Sequence, residues 1–109
     1  MNTKYVLLRD LLIFFLAVIL GVLFWKNNMA VTAIFLGCYL ARYLLWPNRE
    51  DHVIFLAGAV LGTLAEIIAT GVGVWSYRLP TFLNVPVWLP IAWGLISVLI
   101  VRIAQSVKR

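Results

Sequence analysis

Glu66 is the side chain in this sequence with the strongest claim to chemistry. It stands inside the apolar run Val53 to Trp75, nine residues before Trp75. On a continuous helix that spacing sets its carboxyl about 13 Å below Trp75. With Trp75 at a membrane interface, the acid lies near the bilayer centre, too deep for a short side chain to reach water. An acid at that depth costs roughly 3 kcal/mol on insertion scales, ordinarily faces protein and ordinarily carries function. Proton carriage, general-acid catalysis and cation binding are the chemistries open to it. The alternative is a packing role, with Glu66 hydrogen-bonded to Tyr39 or Thr70. Tyr39 and Ser97 are expected at its depth on the second and fourth helices. Function is the preferred reading.

Three further charges interrupt apolar sequence. Asp10, Arg42 and Arg102 each stand about a turn and a half inside one end of their runs. They are expected to share one layer, with Asp10 paired to Arg42 or to Arg102 as a structural clasp. In the connection Pro47-Asn48-Arg49-Glu50-Asp51-His52, Asn48 with Asp51 three residues on reads as a capping pair. Acids there also suit the positive end of a helix dipole. One histidine and two acids on a short turn are too few ligands for a metal site, so surface polarity is expected. No metal and no other cofactor is expected. The lone Cys38 excludes an internal disulfide and reads as a small buried hydrophobe.

The elements that position these residues follow from composition. Of 109 residues, 64% are hydrophobic and 12% are charged, with a mean hydropathy of +1.02. A soluble domain has about half its residues apolar and about a quarter charged. The solvent for most of this chain is therefore expected to be lipid. A spanning helix needs about 20 apolar residues, and four segments qualify: 6–25, 29–46, 53–75 and 87–103. The fold class predicted is all-α, a single-domain integral membrane four-helix bundle. Short connections predict that helices one to three are sequential antiparallel neighbours. Lys4, Arg9, Arg42, Arg49, Arg102, Lys108 and Arg109 fall on one side of this arrangement, and Lys26 and Arg78 on the other. The positive-inside rule then puts both termini in the cytoplasm and the chain in the cytoplasmic (inner) membrane. The net charge of +5 is spread singly between apolar runs, which argues against nucleic acid.

Gly58, Gly62, Glu66 and Thr70 recur every four residues, a small-residue stripe suited to close helix packing. The connection 76–86 is oddly apolar and is expected to lie in the interface or fold over the bundle as a lid. Trp75, Tyr77, Trp88 and Trp93 would gather as a collar at this mouth, offering a site to an apolar substrate. Glu66, then Gly71-x-Gly73-x-Trp75-x-Tyr77, then Val85-Pro86-x-Trp88-x-Pro90-x-Ala92-Trp93, resembles carotenoid-biosynthesis membrane proteins of the bisanhydrobacterioruberin hydratase type. The resemblance spans roughly residues 62–95. It implies an isoprenoid substrate and catalytic roles for Glu66 and Tyr77, which would protonate an alkene and deliver water. That family is longer and richer in acids. Four helices with one embedded glutamate are also similar in plan to small multidrug resistance transporters, whose glutamate lies in the first helix.

Three functions are therefore expected, in this order. The first is a lipid-binding or protein-interaction membrane component. The second is a lipid- or isoprenoid-modifying enzyme using Glu66. The third is a proton-coupled oligomeric transporter. The partners expected are membrane lipids, with an isoprenoid or other apolar ligand and a homo-oligomer as alternatives.

Overall fold

The computed structural model describes residues 3–108, so Arg109, counted above for orientation, lies outside the described residues. Four helices follow one another: α1 (Thr3–Leu23), α2 (Asn28–Leu45), α3 (Glu50–Gly71) and α4 (Leu89–Lys108). All four are long and apolar enough to cross a membrane. The long axis of the molecule is 44 Å, close to the thickness of a bilayer with its headgroups. Large apolar side chains are exposed along all four helices. α1 is the most apolar helix, yet among its described residues only Asp10 and Ala17 are buried.

Local signals set the helix ends. Asn27 caps α2, its side chain accepting the Ala30 N–H at 3.1 Å. Pro47 follows the end of α2 and cannot continue it. α3 stops at Gly71, four residues short of the expected Trp75. Its last turn closes by bonds from Gly73 N–H to Thr70 and from Val74 N–H to Ala69. Gly73 takes the left-handed conformation (φ 86°) that this closure needs. α4 continues to Lys108, five residues beyond the expected end, because the segment after Ile103 still has a face to bury, with Ser106 inward.

The expectation of sequential neighbours holds for α1 and α2 and is corrected for α2 and α3. α3 packs chiefly on α4, and α4 also packs on α1 and α2, so the last helix is the centre of the bundle. Glycine explains this choice. Side chains at Gly58 and Gly62 would run into Ser97 and Trp93 of α4, and one at Gly94 would come within 2.7 Å of the Phe55 ring. The stripe is thus spent inside the monomer. No comparably close backbone packing joins α2 to α3; Tyr39 and Tyr43 bridge that gap by stacking on Phe55 and His52. Ala17, Tyr39, Leu95, Val98 and Leu99 form the buried core.

Candidate functional site

Polar side chains gather at opposite ends of the bundle. At the loop end, α3 ends five residues beyond Glu66, so the carboxyl lies about 8 Å below the helix terminus rather than at mid-depth. Beyond the glycine cap the chain doubles back. Trp75 Nε1 donates to Glu66 Oε2 at 2.8 Å, and the Tyr77 hydroxyl donates to the same oxygen at 2.9 Å. Loss of hydration pushes the Tyr77 phenol up to about 12, helped by its bond to Glu66 and by that carboxylate's charge. Tyr77 meets Trp88 edge-on at 6.1 Å, and Trp88 meets Phe35 of α2 the same way at 5.8 Å.

The remaining residues expected around Glu66 lie elsewhere. The Tyr39 hydroxyl is 2.7 Å from His52 Nδ1, and His52 precedes Glu66 on α3 by about 21 Å of helix. Ser97 faces Gly58 and donates to its own helix at Trp93 O (2.7 Å). Thr70 donates to the Glu66 backbone carbonyl at 2.8 Å and not to the carboxyl. Trp93 lies deeper, flat against Gly62. Of the expected collar, Trp75 and Tyr77 reach the acid, Trp88 supports Tyr77, and Trp93 belongs to the α3–α4 contact.

The loop between these residues is anchored and ordered by its own bonds. Val85 is fully buried. Phe82 to Val85 form a tight turn with Leu83 (φ 43°) and Asn84 (φ 70°) both left-handed, as hairpin turns of this type require. Asn28 at the start of α2 donates to Leu79 O (2.8 Å) and Thr81 Oγ1 (3.1 Å). The apolar connection is thus a folded cap on the bundle. A cavity of about 220 Å³ opens beside it, walled in part by Trp25, Tyr77, Arg78 and Trp88.

At the other end the charges form a chain that crosses all four helices. Arg9 (3.1 and 3.3 Å) and Arg42 (3.1 and 3.4 Å) both grip Asp10. Arg42 Nη1 reaches Asp51 at 2.7 Å, and Arg102 Nε reaches the other Asp51 oxygen at 2.8 Å. The Asp10–Arg42 pair agrees with one of the two expected pairings; Arg102 joins Asp51 rather than Asp10. Asp51 is also the correction to the capping reading. It is 1% exposed and points inward, while Asn48 takes the Glu50 N–H instead (3.0 Å). Arg9 and Asp51 are the members that sequence reasoning missed. A carboxylate one residue into a helix looks like a cap unless its cations are placed.

No family model, curated protein or solved structure matches this chain. Function is therefore read from geometry. Among the described residues, no three His, Cys, Asp or Glu side chains converge as metal ligands. A concavity of about 600 Å³, almost wholly apolar, lies along the junction of α1 and α2. Leu12, Leu16 and Leu20 form one wall, Ile34, Gly37 and Cys38 the other. A side chain at Gly37 would meet nothing within 4 Å, so the groove is open there.

Proposed function

We propose that this chain is a four-span protein of the cytoplasmic membrane that binds a lipid in the α1–α2 groove. Both termini face the cytoplasm in this reading. The charge bias supports that orientation, because Lys4, Arg9, Arg42, Arg49, Arg102 and Lys108 share the end carrying the described termini, against Lys26 and Arg78 at the loop end. The observation that carries the proposal is the groove itself, an apolar concavity of about 600 Å³ between two helices. That volume lies within the ordinary range of ligand sites. The two polar clusters are read as fasteners: the charge chain clasps the helices, and Glu66 holds the loop through Trp75 and Tyr77.

Native mass spectrometry from mild detergent tests this. Wild type should retain lipid, and Gly37→Leu, which fills the groove, should lose it while staying folded. Equal retention in both proteins would remove the groove as the site. A second reading, an enzyme acting on an isoprenoid through Glu66, is favoured by the hydrogen-bonded Glu66–Tyr77 couple beside the outer cavity. Isoprenoid turnover that disappears in Glu66→Gln would establish it.

A further inference from the structure

A second cavity, about 440 Å³, lies at the end of the bundle that carries the described termini. Its walls include Arg9, Arg42 and Arg102, with Asp51, Gln105 and Ser106. This polar cavity and the apolar groove meet at a common wall, since Arg9, Arg42, Leu45 and Trp46 line both. Arg9 lies over the Trp46 ring at 4.4 Å, so a cation and an aromatic face stand at the junction. From that wall the groove runs along α1 from Leu8 to Leu20, about 18 Å of helix. Charged side chains stand in the wall at one end and apolar ones line the rest, the order of a lipid headgroup and one chain.

Charge selects the headgroup. Among the described residues, this layer sets three arginines, Arg9, Arg42 and Arg102, against two buried aspartates, Asp10 and Asp51. Glu50 stands 3.9 Å from Arg102 but is 80% exposed, so water screens it. Arg102 lies at this wall with Nε and Nη2 at 2.8 and 2.7 Å from Asp51 Oδ1, its side chain part-exposed beside the cavity. Guanidinium forks match phosphate oxygens. The described residues at this end include six Lys and Arg against Asp10, Glu50 and Asp51. Basic pockets between spanning helices on a cytoplasmic face are suited to acidic headgroups.

We infer that the polar cavity holds the phosphate of an anionic glycerophospholipid whose acyl chain lies in the α1–α2 groove. The inference rests on the lipid-binding reading above and adds the headgroup class and its ligands, Arg9 and Arg102. Arg42 spans both aspartates and serves mainly to hold the layer together.

The test compares phosphatidylglycerol, phosphatidylcholine and inorganic phosphate as ligands of delipidated protein, by native mass spectrometry. Wild type should hold phosphatidylglycerol about tenfold more tightly than phosphatidylcholine, whose choline cation is repelled by the arginines that its phosphate would meet. Arg9→Gln, which leaves Asp10 paired to Arg42, should reduce that preference to near parity, and Gly37→Leu should weaken both lipids. The wild-type preference needs no variant, so the test survives a variant that fails to fold. Equal binding of the two lipids by wild type, with Gly37→Leu still weakening both, would overturn the headgroup assignment and leave the groove reading intact. Loss of neither lipid in Gly37→Leu would overturn both. Inorganic phosphate binding as tightly as phosphatidylglycerol would also overturn the inference, because the chain would then contribute nothing. A lipid-free dimer that Gly37→Leu dissociates would give the groove to a second copy of this chain.

Discussion

The two ends of the bundle solve the same problem, a charge placed among apolar helices, by different physics. At the end carrying the described termini, five charged side chains alternate in sign, and each helix supplies at least one. At the loop end a single carboxyl is met by two neutral donors from the segment that follows its own helix. The first device is long-range and ties elements together. The second is local and decides only where one loop lies. Removing one partner should therefore have unequal consequences.

The largest effect is expected at Arg42. Arg42→Met removes the guanidinium that Asp10 and Asp51 share and leaves each buried carboxylate with one arginine, Arg9 for Asp10 and Arg102 for Asp51. It should cost about 3 kcal/mol, the low end for breaking a buried pair. Thermal melting in detergent measures it, and a melting temperature near wild type would mean that the aspartates do not depend on that guanidinium. Gly62→Ala comes next. It drives a methyl group into Trp93 and should cost ~1–3 kcal/mol, the usual penalty for overpacking. Glu66→Gln should cost less, about 1 kcal/mol, because the amide oxygen still accepts a hydrogen bond. Its effect should be local: amide exchange should accelerate across residues 75–85 and leave the α1 to α4 interior unchanged. Faster exchange at Val98 and Leu99 would show that the loop end also governs the core.

The smallest effect is an alkaline one. Folding raises the Tyr77 phenol from near 10 to about 12, so the fold favours its neutral form. That contribution is fully present below pH 10 and is lost as pH rises through 12. A tyrosinate absorbance titration of wild type minus Tyr77→Phe should give a transition above that of free tyrosine. A difference curve centred near 10 would place Tyr77 in water and away from Glu66.

The same contrast explains what could be read in advance. The four helices were legible because long apolar runs separated by polar punctuation leave few alternatives, and Asp10, Arg42 and Arg102 were legible as a layer because helix rise sets depth. The end of α3 was not, since Val72, Val74 and Trp75 continue the apolar run while Gly73 turns the chain. That error set Glu66 farther from the end of its helix than it lies and brought Tyr39 to its side. The Gly71-x-Gly73 pair was the available signal for a helix end. Asp51 was misread because a cap and a buried pair share the same sequence position, and only the arrival of α4 with Arg102 separates them. The central place of α4 depends on Gly58, Gly62 and Gly94 meeting Ser97, Trp93 and Phe55. Connection length favours sequence neighbours and carries no information about that fit.

Lipid-dependent thermal stability is the most direct test of the functional claim. A ligand that binds only the folded state raises its stability by mass action. Added phosphatidylglycerol should raise the melting temperature of wild type in a concentration-dependent way and leave that of Gly37→Leu unchanged. An equal rise in both proteins would mean that the lipid acts on the outer surface of the bundle, and would contradict a binding site between α1 and α2.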